Sequence, residues 1–253
     1  MNRRTVRRSL AVAVGGAVVS AGMLALANET ARRAAGRAAH RSARGVGSWL
    51  DRRVEGLSPL DALIYDRVFA PALGLLYRPA ADDVTAALAS RAWGDGATIL
   101  DLGCGPGGLA VVLVTRLPEA RIVGLDLSPS MIERAKRHES EGGRLRFIVG
   151  DAADLPFEAE TFDVVVSTLS LHHWKKPAAV FAEVSRVLRP GGVALIYDIS
   201  LLSLRTSELE IIARDIGLDP DALQRERVKG GFGARLFVRF RLEGPEIEDD
   251  RQA

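Results

Sequence analysis

A glycine-rich turn constrains the fold of this chain more than any other feature. The segment Asp101-Leu102-Gly103-Cys104-Gly105-Pro106-Gly107-Gly108 follows an apolar strand candidate at 98–100 and precedes a helix candidate at 110–116. Glycine lacks a β-carbon, so the backbone of such a turn can adopt positive φ angles and approach a ligand closely. Between a strand and a helix, a turn of this kind is typical of the ligand crevice of a doubly wound α/β sheet.

The rest of segment 57–253 alternates between strand and helix patterns. Apolar runs such as Val164-Val165-Val166 indicate strands whose two faces are both covered, and hence a mostly parallel, Rossmann-like α/β sheet. Upstream, 60–87 has a helical pattern that Pro71 and Pro79 divide into short pieces, which we interpret as lid helices. Strands are predicted at 121–125, 144–149, 162–167, 193–197, 224–229 and 236–242, helices at 129–138, 177–188 and 207–216, and a turn at 190–192.

Two ligand classes compete for the glycine-rich turn. The spacing Gly103-x-Gly105-x-x-Gly108 also satisfies the dinucleotide fingerprint, so a nicotinamide dinucleotide is one alternative. Asp101 argues against a dinucleotide, because a carboxylate at this place would repel its pyrophosphate. The same carboxylate would pair with the ammonium group of a methionine moiety, which is the second alternative. The turn alone leaves both ligands open and favours the one with the methionine moiety.

Acidic residues end the second and third predicted strands. Asp126 is placed to accept both hydroxyls of a ribose, which suits either ligand. Asp151 can accept from an adenine amino group while the Ala152 amide donates to the ring. The acidic residue on the third strand favours an adenosyl ligand over a dinucleotide.

Five successive segments resemble the motifs of class I S-adenosylmethionine-dependent methyltransferases. They read ILDLGCGPGGL, VGLDLSPSMIERAK, FIVGDAADLPF, FDVVVSTLSLHHW and EVSRVLRPGGVALIYDIS. The resemblance covers about 57–253 and is greatest to the small-molecule branch, which includes quinone-biosynthesis C-methyltransferases. It implies a seven-stranded sheet with an antiparallel last hairpin, S-adenosyl-L-methionine as cofactor and a small-molecule acceptor. The cofactor-binding residues predicted on these grounds are Asp101, Gly103, Cys104, Gly105, Gly107, Asp126, Leu127, Met131, Asp151, Ala152 and Ser167.

Two adjacent histidines, His172 and His173, follow the fourth predicted strand, where its end should meet the transferred methyl group. A neutral imidazole could take a proton from a phenol, hydroxyl or acidic carbon, so both are candidate catalytic residues, with His172 slightly preferred. The alternative is that both shape the loop or cap the next helix. No metal is expected, because a sulfonium donor is already activated and the enzyme mainly aligns the acceptor.

Several other functions are disfavoured. Segment 57–253 has a net charge of −6, and its loop Ser167-Thr168-Leu169-Ser170 departs from the pattern of nucleic-acid amino-methyltransferases, so no nucleic-acid partner is expected. The single cysteine, Cys104, lies inside the turn and is interpreted as a packing residue. Two alternatives remain: a regulatory or scaffold protein that binds S-adenosylmethionine without catalysis, and a NAD-type oxidoreductase.

Residues 1–56 form a basic extension with eleven Arg and three acidic residues. The uncharged stretch 10–27 has 18 residues, the lower limit for a bilayer span, and is also compatible with a signal peptide. Arg33, Arg37, Arg41 and Arg44 would share one helical face suited to anionic lipid, although a solvated linker is an alternative. We expect residues 10–44 to contact a membrane surface and to hold the protein on the cytoplasmic side of that membrane. The alternative is a soluble cytoplasmic protein. A membrane location would suit a lipophilic acceptor.

Overall fold

The computed structural model describes residues 70–90, 96–139, 142–200, 203–228 and 237–245. The predicted extension, its anchor or signal segment, the boundary between 56 and 57 and the start of the predicted lid helices lie outside these ranges. Among the described residues, no helix combines the length and the apolar character needed to cross a membrane. From Leu73 onward, the described residues belong to one compact unit.

The elements alternate along the chain as the sequence predicts. The helices are α1 (Ala70–Ala89), α2 (Gly108–Arg116), α3 (Pro129–Ala135), α4 (Pro177–Val187) and α5 (Thr206–Asp215), with 3-10 turns at Lys136–His138, Leu171–His173 and Pro220–Ala222. The strands are β1 (Thr98–Leu102), β2 (Arg121–Asp126), β3 (Leu145–Val149), β4 (Phe162–Thr168), β5 (Leu188–Ile199), β6 (Leu223–Val228) and β7 (Phe237–Glu243).

The strands form a seven-stranded sheet in the order β3-β2-β1-β4-β5-β7-β6. Neighbours from β3 to β5 are parallel, whereas β7 is antiparallel to both β5 and β6. This confirms the Rossmann-like fold class and the antiparallel last hairpin. The strand order reverses between β1 and β4, so the loops that follow β1, β2 and β4 meet at the carboxyl edge where such sheets bind ligands.

The core lies on both faces of the sheet, as the apolar strand runs predict. Val164 and Val166 of β4 pack into a cluster with α1 and α2, while Val165 between them packs into a second cluster with α4 and α5. All three side chains are fully buried. Alternation along a strand sends neighbouring side chains to opposite faces, so a continuous apolar run requires helices on each side.

Two predictions about prolines need correction. Pro79 does not end a helix, because α1 continues through it to Ala89. A proline inside a helix removes one backbone hydrogen bond and costs about 3 kcal/mol, but Ala80, Ala81 and Val84 on α1 are fully buried and this packing offsets the cost.

The predicted turn at 190–192 lies within β5 as a bulge: Phe162 pairs with Leu188, whereas Val164 pairs with Val193. The predicted helix at 177–188 accordingly ends at Val187, and the one at 129–138 becomes a 3-10 turn after Ala135.

A buried carboxylate, paired with a partly exposed arginine, fixes the amino-terminal side of the sheet. The Asp163 side chain is 3% exposed, and its two oxygens accept from Arg189 Nη1 at 2.9 Å. Asp163 Oδ2 also accepts the Thr98 amide at 2.6 Å. One carboxylate therefore joins the start of β1, the start of β4 and the bulge of β5.

We expect Asp163→Asn to lower the free energy of unfolding by about 1–3 kcal/mol, the usual value of hydrogen bonds to charged groups. The Arg189 side chain is 43% exposed and can turn to solvent, which limits the loss. Urea denaturation followed by circular dichroism measures the effect. Glu210→Gln is the control, because its pair with Arg214 is exposed, spans 3.8 Å and should contribute less than about 0.5 kcal/mol. Equal losses in the two variants would contradict the prediction.

Candidate active site

Backbone contacts hold the glycine-rich turn against β2. The amides of Gly103 and Cys104 both donate to the Leu125 carbonyl, at 2.8 and 3.0 Å. Gly103 has a φ of 69°, and a β-carbon there would lie 2.5 Å from Ser170 Cβ. Gly107 has a φ of 87°, and its β-carbon would lie 2.7 Å from the Phe147 ring. Both positions require glycine on conformational and steric grounds.

Asp126 connects the turn to the end of β2. Its Oδ2 accepts the Gly105 amide at 2.8 Å, and its Oδ1 accepts the Ser128 amide, just before α3, at 2.9 Å. Burial raises the pKa of Asp126, while these two amides and nearby His173 act against the rise. Each carboxylate oxygen has two lone pairs, so the oxygens retain the capacity to accept the predicted ribose hydroxyls.

Asp101, on β1, has a buried carboxylate without a hydrogen-bond partner among the described residues. It is 1% exposed, and neither oxygen has a hydrogen-bond partner among the described residues. Burial raises the pKa of Asp101 from 3.8 to about 7; the Ala110 amide, outside hydrogen-bonding geometry, opposes the rise, and the Asp126 carboxylate adds to it. A cationic group brought to this carboxylate would satisfy it.

Cys104 lies within the turn with its side chain pointing into the core. It is 7% exposed, and its sulfur lies where a β-carbon on Gly124 would approach it to 3.0 Å. Burial raises the pKa of the Cys104 thiol far above its ordinary value, and the carboxylates of Asp101 and Asp126 add to the rise. A thiolate is therefore strongly disfavoured, which agrees with a packing role.

The remaining predicted cofactor residues occupy different environments around the carboxyl edge. Leu127, directly after Asp126, is 62% exposed, whereas Met131 on α3 is buried. Asp151 follows β3 in an exposed position, where its Oδ1 accepts the Ala153 amide at 2.9 Å, and Ala152 is half-buried beside it. The adenine contacts predicted for Asp151 and Ala152, and the cofactor contacts predicted for Leu127 and Met131, stay predictions.

A chain of hydroxyl groups shapes the loop after β4. Ser167 Oγ lies 2.6 Å from Ser170 Oγ, which accepts Trp174 Nε1 at 3.1 Å. Between the two serines, Leu169 has a φ of 58°, and its amide donates to the Tyr197 carbonyl on β5 at 2.8 Å. The Ser167 side chain is fully buried and supports the loop from behind, so its predicted cofactor contact stays a prediction.

Both predicted catalytic histidines lie in the 3-10 turn that follows this loop. Their rings are 4.0 Å apart between centroids and inclined by 44°. His172 Nδ1 lies 2.8 Å from Asp198 Oδ1, and the His172 amide donates to Asp198 Oδ2 at 2.8 Å. His173 lies close enough to Asp126 to act on its pKa. The two histidines thus lie between the end of β2 and the end of β5.

Residues 100–196 match the family model described as a methyltransferase domain. Over 116 residues the chain is 47% identical to erythromycin 3''-O-methyltransferase of Saccharopolyspora erythraea, a match that covers 44% of this chain and 37% of that protein. Over 110 residues it is 40% identical to a fatty-acid O-methyltransferase of Mycolicibacterium smegmatis, covering 44% and 40%. The chain therefore spans well under half the length of these curated relatives.

The fold agrees with this match. A TehB-like SAM-dependent methyltransferase from Corynebacterium glutamicum superposes with a TM-score of 0.51 at 22% identity, over 66% of this chain and 87% of that one. At this identity the likeness shows the fold. Together with the family match, it decides the class of the domain. The chain contains a class I S-adenosylmethionine-dependent methyltransferase domain.

The residues of the methyltransferase domain fit the cofactor of that class. Asp101 offers a buried carboxylate to an ammonium group, and Asp126 offers acceptor oxygens to a ribose. Gly103 and Gly107 give the turn positive-φ conformations that the neighbouring Ser170 and Phe147 side chains would deny to a residue with a β-carbon. Among the described residues, no cluster of His, Cys, Asp and Glu has the geometry of a metal site.

The sequence analysis does not predict two contacts of the methyltransferase domain. Asp198, which holds His172, is a buried acid at the carboxyl end of β5; its position next to β4 in the sheet is the signal that could have revealed it. Tyr77 on α1 lies against the turn, since a β-carbon on Gly108 would approach its ring to 2.6 Å. This contact places α1 beside the start of α2, and the lid role expected of the upstream helices stays a prediction.

The unusual pKa of Asp101 predicts how stability depends on pH. Between pH 4 and 7 Asp101 binds more protons in the folded domain than in the unfolded chain, so the contribution of this group to stability falls as the pH rises through this window. We expect Asp101→Asn to remove the effect. Its stability gain over the wild type should grow from pH 4 to pH 8 by about 4 kcal/mol, the equivalent of roughly three pKa units.

Urea unfolding at several pH values measures this difference. Asp151→Asn is the matched control, because that carboxylate is exposed and its neutralisation should give no gain that grows with pH. A pH-independent difference between the wild type and Asp101→Asn would contradict the assignment.

Proposed function

We propose that this protein transfers a methyl group from S-adenosylmethionine to a small, lipophilic acceptor. The observation that carries the proposal is the unpartnered Asp101 carboxylate beneath the glycine-rich turn. Leaving a buried carboxylate without partners destabilises the fold, so its presence here is best explained by a cationic ligand. The donor carries such a cation in its methionine ammonium group.

The residues of the turn and the strand ends would divide the donor between them. Asp101 would bind its ammonium group, Asp126 its ribose, and Asp151 with the Ala152 amide its adenine. When bound, the donor supplies an activated methyl group on a sulfonium. The chain's own contribution is to hold an acceptor nucleophile in line with that methyl group and to exclude water.

Two considerations support a lipophilic acceptor. The relatives that match the domain are named for erythromycin and for fatty acids, both less polar than amino acids or nucleotides. The sequence also places an apolar stretch and a basic segment at 10–44, which would bring the domain to the cytoplasmic side of a membrane. Acceptor and location are both part of the proposal.

Donor binding tests the first half of the proposal. Calorimetry should detect binding of S-adenosylmethionine to the full chain, and Asp126→Ala should weaken it by about 1–3 kcal/mol because ribose hydroxyls and the Gly105 amide lose their acceptor. Glu210→Gln, remote from the turn, is the control and should bind as the wild type does. Binding of a nicotinamide dinucleotide with no heat from S-adenosylmethionine would contradict the proposal and favour the oxidoreductase alternative.

Methyl transfer tests the second half. With donor labelled in its methyl group, the full chain should label a product in a membrane lipid extract more than in a soluble extract, and mass spectrometry then identifies it. Donor binding without any labelled product would support a regulatory or scaffold protein. Label confined to the soluble extract would contradict a lipophilic acceptor.

A further inference from the structure

Arg225, on the edge strand β6, has a guanidinium that two contacts hold in place. Its Nε donates to the carbonyl of Leu204, in the segment between β5 and α5, at 3.1 Å. Its Cζ lies over the Phe240 ring of the neighbouring strand β7, 6.0 Å from the ring centroid, near the limit for a cation–π contact. Among the described residues, neither terminal nitrogen of this guanidinium has a hydrogen-bond or ion-pair partner.

A second arginine lies on the same face of β6. Side chains two residues apart on a strand share a face, so Arg227 lies on the face of Arg225. Glu226, between them, lies on the opposite face and pairs with Arg239. Burial lowers the pKa of Arg225, and the positive charge of Arg227 lowers it further. Two cations that repel each other, without a carboxylate on their face of β6, favour the binding of an anion beside them.

The segment that contacts Arg225 also contains an unused hydrogen-bonding group. Ser203, directly before Leu204, is 6% exposed, and its hydroxyl lacks a partner within the described part of the chain. The Ser203 amide donates to the Ile199 carbonyl at 3.0 Å, which connects this segment to the end of β5. A buried hydroxyl without a partner is unfavourable, and an anion held in this segment would offer it an acceptor.

The register of the sheet places Arg225 level with the end of β4. Arg225 pairs with Phe240 of β7, which in turn pairs with Ile196 of β5. Ile196 pairs with Ser167, the penultimate residue of β4. Three strand spacings separate β6 from β4, about 14 Å at roughly 4.8 Å each. An anion at Arg225 would therefore lie in the carboxyl half of the sheet but well away from the glycine-rich turn.

We propose that Arg225, with Arg227 beside it, binds a carboxylate or phosphate group at the end of the acceptor that is remote from the methylated atom. This inference rests on the proposed function and makes its lipophilic acceptor an anionic amphiphile. The two terminal nitrogens of a guanidinium donate in parallel to the two oxygens of such a group. The residues assigned to the donor lie on or beside β1, β2 and β3, so donor binding does not depend on Arg225.

Calorimetry with simple anions tests this site on the full chain. The demethylated donor, S-adenosylhomocysteine, is present throughout to occupy the donor site, and the probes are decyl phosphate, decanoate, decanol and inorganic phosphate. Decyl phosphate or decanoate should bind about tenfold tighter than decanol or more, as expected for charge-assisted hydrogen bonds. Arg225→Gln should abolish this difference, whereas Arg225→Lys, which keeps the charge and loses the planar fork, should retain part of it.

Arg241→Gln is the matched control for the loss of one positive charge. Arg241 lies on the neighbouring strand β7, on the face opposite Phe240, and pairs with Glu243, so this variant should bind every probe as the wild type does. Equal losses in Arg225→Gln and Arg241→Gln, or decanol bound as tightly as the anions, would overturn the inference. Inorganic phosphate bound as tightly as decyl phosphate would indicate a site for a free anion and would overturn the assignment to an acceptor.

Methyl transfer gives a second measurement. Labelled products from the membrane lipid extract are separated by anion exchange, and the label should be in the anionic fraction, because the methylated atom is not the anionic group. For that fraction Arg225→Gln should raise KM by about tenfold and change kcat by less than about threefold, since the contact is remote from the reacting atoms. Label in neutral products alone, or a lower kcat at unchanged KM, would overturn the inference.

The donor separates the two proposals. A wild type that neither binds S-adenosylmethionine nor transfers its methyl group would contradict the proposed function. A wild type that does both, while Arg225→Gln leaves probe binding and KM unchanged, would contradict only the anion site. An unchanged donor Kd in Arg225→Gln shows that the variant is folded.

Discussion

The hydrogen bonds that the amides of Gly105 and Ser128 donate to the Asp126 carboxylate are the contacts on which the candidate site depends. They join the glycine-rich turn, the end of β2 and the start of α3 through one side chain. The Leu125 carbonyl, which accepts the amides of Gly103 and Cys104, is a second connection between the turn and β2. Because both bonds are made within the protein, the turn is held in shape before any ligand arrives, and the donor need not supply the energy to order it.

The same edge of the sheet has an electrostatic preference. Asp101 and Asp126 are both largely buried and near enough for each to raise the pKa of Cys104 and for Asp126 to raise that of Asp101. Two carboxylates in such a place favour a cation and oppose a pyrophosphate. S-adenosylmethionine carries positive charge on its ammonium and sulfonium groups, whereas a dinucleotide presents negative charge. The spacing of the glycines suits both ligands, and the charge distinguishes them.

The sequence predicted those features that depend on near neighbours along the chain. Asp101 and Asp126 were placed at strand ends because each directly follows an apolar run, and Val164 to Val166 indicated a sheet covered on both faces. The bulge at 190–192 and the uninterrupted helix at Pro79 could not be predicted, since both depend on packing with other elements. The contact of His172 with Asp198 joins residues 26 positions apart, and only the order of strands in the sheet brings them together.

Several elements near the candidate site lie outside the segment that matches the family model. Residues 100–196 supply the glycine-rich turn, both carboxylates and the histidines, whereas α1, Asp198 and the β6–β7 hairpin lie beyond it. These outer elements are connected: Asp83 on α1 accepts Tyr197 Oη from β5 and Arg239 Nη1 from β7, each at 2.6 Å. These hydrogen bonds fix α1 to β5 and β7. The residues proposed to bind the donor lie within the segment that matches the family model, whereas α1 and the hairpin lie outside it, so we expect selection of the acceptor to depend on these outer elements.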